Sequence, residues 1–370
     1  MTDSPDSTVQ PRGAQPRGAQ PDAAALTGEQ PDAALSASAR PDAAQPAGAL
    51  SASARPDAAQ PDLSSLTALR RLRELLTPLG ERPTVVGLDV DGTLLGYTMR
   101  MSPAVQNALT ALNDTHHSTV IATGRGLSKT LPIVHATGVR NGYAVSANGA
   151  VTARIVDGDH EIVDTRTFNP AAALEMMHEA VPGARHAIET VNGDFYATES
   201  FRDTEFGIHA QQSSFEELIQ HDDVIRVVVT KPDMPIEEFR EIVQTVGLHG
   251  VQYAVGRTAW LDLAAPGVTK ASALAAVADR LGIDQLLALG DGDNDREMLR
   301  AADVGIAMGQ ASDFVKESAD AVTASIDADG AAIVLNLLMG REPFAESAPG
   351  AEAPSVGDEL RDEAGAGGGE

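Results

Sequence analysis

The sequence predicts an α/β protein: a mostly parallel sheet core, interrupted by an inserted α+β domain and flanked by two disordered tails. Three observations carry that prediction. Short, apolar, β-branched runs alternate with helical-period segments over residues 62–150 and 258–340, and strands apolar on both faces belong to parallel sheets covered by helices. The rhythm changes over 151–257, a block of roughly 110 residues whose mixed segments read as a second domain inserted into the first. Residues 1–61 and 341–370 offer almost no large apolar side chains to bury.

Taken in order, the tail 1–61 is rich in Ala, Pro, Gln and Ser. A 13-residue string beginning at Ala34 returns unchanged at Ala49, a low-complexity repeat with no solenoid period. Residues 66–79 set apolar side chains at helical spacing. The run 84–90 (TVVGLDV) reads as a buried strand. A helix follows over 103–113, with Ser102 as N-cap and Pro103 at the first helical position. A second buried strand at 118–122, a helix near 127–136 and a third strand at 143–146 complete the first half.

The insert shows a helix after Asn169-Pro170, short alternating segments at 185–190 and 194–198, and a strand at 224–230. Its second helix, 235–246, gathers Ile236, Phe239, Ile242, Val243 and Val246 on one face. An alternating strand at 258–263 carries Trp260, expected to pack. The regular order then resumes: helix 269–281, strand 286–289, helix 295–301, strand 304–307, helix 312–318, strand 321–323 and helix 330–338.

Composition excludes several functions. The chain has 370 residues and no cysteine, which removes disulfides, thiolate metal sites and a cysteine nucleophile. Against 27 Lys+Arg stand 53 Asp+Glu, a net charge of −26. The segment 62–340 alone holds 38 acidic and 21 basic residues, so the acidity is not confined to the tails. Such a chain lacks the cationic face a phosphate backbone requires, and no nucleic acid partner is expected. No apolar run approaches the roughly 18 residues of a spanning helix, so no membrane partner is expected. The opening residues have no basic region followed by an apolar one, hence no secretory signal. A cytoplasmic location is the expectation.

Four clusters carry chemistry. In the first, Asp89-Val90-Asp91-Gly92-Thr93, residues i and i+2 of a strand point to one face. Asp89 and Asp91 are therefore expected to converge beyond the strand's carboxyl end, where open α/β sheets bind ligands. Two carboxylates so close need a cation, or a proton on one of them. The second cluster, Thr123-Gly124-Arg125, offers a hydroxyl, a backbone N–H and a guanidinium, a set suited to an anion. The third is Lys270, in the first turn of a helix capped by Thr269, where a cation opposes the helix dipole. The fourth is Gly290-Asp291-Gly292-Asp293-Asn294-Asp295. A calcium-loop reading of it fails, because its sixth position is Arg296 rather than Gly and its twelfth Ala302 rather than Glu. A hard cation on oxygen ligands remains, and Mg²⁺ suits it best beside phosphate.

Spacing joins the clusters. Asp89 to Thr123 is 34 residues, one strand–helix–strand repeat, and Lys270 to Asp291 is 21, one helix plus one strand. Thr123 to Lys270 is 147, which accommodates the insert. All four clusters thus fall at equivalent ends of strands in one sheet. His116 and His117 read as a solvated connection; Arg185, His186, Glu189, Arg202 and His209 lie in the insert and could face a substrate, but no pattern selects among them and each is read as ordinary surface.

The set DVDGT, ATGR, GVTK and GDGDND, in this order, resembles the haloacid dehalogenase superfamily of phosphohydrolases. The long insert resembles the C2 cap of its Cof-type branch, as do Asn148-Gly-Ala150 and Trp260-Leu-Asp-Leu. Val90, where Leu is more usual, and Ala271, where Gly often follows the lysine, depart from the pattern without removing a functional group. The resemblance covers about 83–340 and implies a Rossmann-like core with an inserted cap. It implies that Asp89 is a nucleophile forming an aspartyl-phosphate and that Asp91 is the general acid and base. It implies phosphoryl contacts from Thr123, Lys270 and Asn294, with backbone N–H groups near Val90 and Gly124. Mg²⁺ would be held by Asp89, the carbonyl of Asp91, Asp291 and, through water, Asp295. The implied activity is hydrolysis of small phosphorylated metabolites such as sugar phosphates. A phosphomutase or phosphotransferase on the same core, or a non-catalytic phosphate-binding scaffold, are the alternatives.

Overall fold

The computed structural model describes residues 66–96, 98–198, 202–203, 208–248, 252–255 and 258–344. The expected tails fall outside these residues, apart from 341–344.

The chain enters through α1 (Leu66–Gly80), which leads into β1 (Val85–Leu88). Then come α2 (Pro103–Leu112), β2 (Ser118–Ala122), α3 (Leu127–Thr137), β3 (Gly142–Ser146) and the hairpin β4 (Val151–Val156) and β5 (Asp159–Thr165). A second group comprises α4 (Ala171–Ala180), β6 (Arg185–Thr190), β7 (Phe195–Ala197), β8 (Arg202–Asp203), β9 (Ile208–His209), β10 (Gln211–Gln212) and α5 (Phe215–Leu218). It continues with β11 (Val224–Thr230), α6 (Ile236–Val246), β12 (Gln252–Val255) and β13 (Trp260–Ala264). The chain closes with α7 (Lys270–Leu281), β14 (Leu286–Gly290), α8 (Arg296–Ala301), β15 (Val304–Ala307), α9 (Asp313–Lys316), β16 (Ala321–Val322) and α10 (Gly330–Leu338).

An eight-stranded sheet runs β16-β15-β14-β1-β2-β3-β4-β5. Its first six strands are mutually parallel, as their uninterrupted apolar character requires. β1 is central. Val86 and Leu88 turn to the cluster built with α1, α2 and α10, while Val85 turns to the cluster built with α7 and α8. That split is the period-two geometry of a strand buried on both faces. Gly87 is required there: a Cβ would lie 2.7 Å from Leu274 Cδ1, so α7 could not approach β1. Helix ends follow the sequence signals. Ser102 accepts from the Val105 N–H at 3.1 Å, and Thr269 and Ser272 close a capping box at the start of α7.

A six-stranded sheet, β10-β7-β6-β11-β13-β12, carries α4 and α6 on one face. Leu174, Met177, Phe239 and Val243 bury against Ile188, Val227, Val229, Leu261 and Leu263. On the opposite face, three adjacent strands present Glu189, Arg226 and Asp262. Arg226 pairs with Glu189 in the β11–β6 register, and Asp262 with Val228 in the β11–β13 register.

Sheet membership departs from the expected 151–257 boundaries of the insert at both ends. β4 and β5 join the large sheet as an antiparallel margin, and β13 joins the small one. The hairpin turn, Asp157-Gly158, has φ of 53° and 91°, the doubly positive geometry that Asp-Gly supplies. The alternating burial of β4 and the mostly exposed β5, which carries Asp159, Glu161 and Asp164, mimic the composition of a separate α+β unit. The first strand also ends at Leu88, so Asp89 and Asp91 lie just beyond it rather than within it. Among the described residues no helix is long and apolar enough to cross a membrane.

Candidate active site

Parallel register assembles the site. Leu88 of β1 stands opposite Leu289 of β14 and Ile121 of β2, so the residues after each strand leave the sheet side by side. Asp89 remains tied to β14 through its N–H on the Leu289 carbonyl, 2.9 Å. The chain then turns tightly: the Val90 carbonyl accepts from Leu94 and Leu95 at 2.9 and 2.8 Å. Gly92, at φ 89°, is the second obligatory glycine, because a Cβ there would run into the Asp291 carboxylate.

Three carboxylates converge. Asp89, Asp291 and Asp295 are buried and each brings one oxygen within 4.8 Å of the others, a group able to hold a metal ion. Lys270, 1% exposed, donates to Asp89 Oδ1 at 2.6 Å and to Asp295 Oδ1 at 2.7 Å. The other Asp295 oxygen accepts from the N–H groups of Asp291 and Gly292, at 3.0 and 2.8 Å. Gln310 donates to Asp291 Oδ2 at 3.2 Å and to the Gly92 carbonyl, bracing the cluster's open side.

The electrostatics follow from burial. Removal from water pushes Asp89 up to about 7, with the charge of Asp295 adding to the rise and Lys270 opposing it. Asp295 is raised for the same first reason, again against Lys270. Burial alone would lower Lys270, but the carboxylates of Asp295 and Asp89 outweigh it and raise its pKa above the ordinary lysine value. Three carboxylates gathered around one ammonium group are the condition that favours a divalent ion.

The expected convergence is met in part. The Asp91 side chain stands outside the carboxylate trio, because Arg125 forks it: Nε reaches Oδ2 at 2.8 Å and Nη2 reaches Oδ1 at 2.6 Å. Asp89 and Asp91 leave the strand end toward different partners, so the i, i+2 rule of a regular strand does not apply beyond Leu88. Thr123, 1% exposed, accepts from the Arg125 N–H at 3.2 Å. Asn294 donates to Asn148 Oδ1 at 2.9 Å, joining the fourth cluster to the turn after β3. The Gly124 carbonyl accepts from Arg226 Nη1 at 2.7 Å.

Beside the trio lies a cavity of about 370 Å³, walled by Asn148, Arg226, Asp262, Thr269, Lys270 and Asn294 among others. Its wall combines strands β11 and β13 of the small sheet with turns and helices that follow strands of the large one. Nothing in the sequence pattern marks Gln310, Arg226 or Asp262 as site residues, and the expectation of surface positions for Glu189, His186 and His117 is not met. Glu189 and His186 are 0% and 1% exposed, and His117 is also buried. The side chains of Arg202 and His209 lie outside the described residues.

Residues 86–335 match the model of the haloacid dehalogenase-like hydrolases. The chain belongs to that family. This hydrolase is 27% identical over 256 residues to 5-amino-6-(5-phospho-D-ribitylamino)uracil phosphatase YcsE of Bacillus subtilis, covering 67% of this chain and 92% of that protein. It is 26% identical over 259 residues to a phosphoglycolate phosphatase of Archaeoglobus fulgidus, covering 70% and 97%. Among solved structures it is similar to the subclass IIB sugar phosphatase BT4131, with TM-score 0.57, 26% identity and coverage of 67% and 96%. It is a phosphatase of the Cof-type branch.

Proposed function

We propose that this hydrolase cleaves small phosphorylated metabolites of the sugar-phosphate kind through an aspartyl-phosphate, with Mg²⁺ as cofactor. One observation carries the reading: Asp89 is buried at the carboxyl edge of the sheet, held by Lys270 and flanked by two further carboxylates. An oxygen of Asp89 attacks phosphorus as the bond to the leaving alcohol breaks. Asp91 gives that alcohol its proton, then takes one from the water that releases phosphate and restores Asp89. Because both Asp91 oxygens accept from Arg125, as those of a carboxylate do, one oxygen must be freed to take up a proton from solvent before Asp91 can give it to the alcohol. Lys270 orients Asp89 and offsets charge on the phosphoryl oxygens, which Thr123, Asn294 and the N–H groups near Val90 and Gly124 bind.

The donor set fits Mg²⁺: hard oxygens from Asp89, Asp291 and Asp295, with the Asp91 carbonyl adjacent. When bound there the ion neutralises charge on the transferring group. The small sheet with α4 and α6 acts as a cap that walls the cavity and selects the leaving group. Likeness to a ribityl-phosphate phosphatase and a sugar phosphatase supports a polyhydroxylated carbon chain as that group.

A phosphate-release screen over phosphorylated sugars, polyols and nucleotides, run with Mg²⁺ beside Asp89→Asn, tests the reading. Wild-type turnover on sugar or polyol phosphates is expected, with at least a ~10³-fold loss in the variant. A variant that releases phosphate at the wild-type rate removes Asp89 as the nucleophile.

A further inference from the structure

Among the described residues, Glu189 and Arg226 form the one strongly buried ion pair that the reaction does not use. Both come from the face of the small sheet opposite its helices, on adjacent strands. Arg226 Nε lies 3.0 Å from Glu189 Oε2, and its Nη1 lies 3.6 Å from Asp262 Oδ1. A buried pair of this kind is a poor source of stability, since desolvating two charges costs about what their attraction returns. Its position gives it a different meaning.

Both members bear on one three-residue segment of the large domain, Gly124-Arg125-Gly126. Arg226 donates to the Gly124 carbonyl at 2.7 Å. Glu189 packs directly on Gly126, where a Cβ would collide with Oε1. Gly126 is the N-cap of α3, gives that helix no side-chain cap, and is followed by no acidic residue in the first turn. The Glu189 carboxylate, paired with Arg226 through Oε2, turns Oε1 toward Gly126 and puts negative charge at that positive helix end. The middle residue of the clamped segment is Arg125, whose guanidinium forks Asp91.

We infer that Arg226 and Glu189 are positioning residues: docking of the cap clamps both ends of Gly124–Gly126 and so fixes where Arg125 holds Asp91, which gives the leaving group its proton once the fork has released one of its oxygens. Acid catalysis is thereby tied to closure. With the cap lifted, the Gly124 carbonyl and the start of α3 lose their partners and Arg125 loses its fixed origin. The inference rests on the reading of Asp91 as general acid, and its test separates the two.

The test compares kcat/KM for an alkyl phosphate substrate, found in the screen, with that for p-nitrophenyl phosphate, whose phenolate departs without a proton. The proteins are wild type, Asp91→Asn, Arg226→Gln, Arg226→Lys and the double variant E189Q/R226Q. Asp91→Asn is the control: it must lose activity on the alkyl ester far more than on the aryl ester, and an equal loss there overturns the Asp91 assignment itself. Given that split, Arg226→Gln is expected to lose ~10–100-fold on the alkyl ester and less than ~3-fold on the aryl ester, with Arg226→Lys recovering part of the difference. The double variant removes both charges of the buried pair, so it should regain part of the melting temperature lost by Arg226→Gln while keeping the alkyl-selective defect. Equal losses on both esters, or wild-type kinetics in the double variant, overturn the latch.

Discussion

Lys270 is a side chain whose two roles, structural and chemical, cannot be separated by geometry alone but can be by measurement. It is fully buried between two carboxylates that would otherwise repel. Lys270→Met should lower unfolding free energy in chelator at neutral pH by about 3–5 kcal/mol, read by urea denaturation. Part of that loss should return toward pH 5, because the raised carboxylates take up a proton and the repulsion ends. His186 carries the opposite sign. Burial, aided by the charge of His178, lowers it to about 4, whereas an unfolded histidine titrates near ~6.5. The unfolded chain therefore binds the extra proton, and stability should fall as pH drops from about 6.5 through about 4, by up to about 3 kcal/mol. His186→Gln should flatten that part of the profile; an unchanged slope would assign the effect elsewhere. At this scale the chain is legible where residues break local rules. Asp89, Asp291, Asp295 and Lys270 are too many acids, and one misplaced cation, for strand and helix ends. Glu189, Arg226 and Asp262 are not legible, since each is an ordinary member of an alternating strand and only the register aligns them.

The α7–β1 contact shows how an element depends on one missing side chain. Gly87 lets Leu274 lie against the strand, and Gly87→Ala should destabilise by about 1–3 kcal/mol. Circular dichroism melts would record it as a lowered Tm, and an unchanged Tm would mean that Leu274 repacks at no cost. Buried parallel strands and capped helices were readable because their apolar runs and Ser or Thr caps are local signals. The β4–β5 hairpin was not assigned, although Asp157-Gly158 is a turn signal. β4 exposes Arg154 and Val156 and β5 buries no residue, so the segment lacks the continuous apolar run that marks the rest of the large sheet.

For the whole molecule, the acidic composition and an anionic substrate are reconciled only at the site. If Mg²⁺ supplies the missing positive charge, chelation should abolish phosphate release and added Mg²⁺ should restore it. The ion should also raise Tm in a concentration-dependent manner, as any ligand of the folded state does. A Tm indifferent to Mg²⁺ would count against the buried trio as its ligands. Domain order was legible as a break in rhythm, but the exact hand-over between sheets was not. Strand pairing across long separations decides it, as with β13, which follows the insert in pattern yet pairs with β11. The large sheet has a further consequence at its margins. On one side β5 lines the rim with Asp159, Glu161 and Asp164, and on the other β16 spans only two residues. Neither rim offers a run of amides that is both long and uncharged, so molecules meeting edge to edge repel rather than zip together.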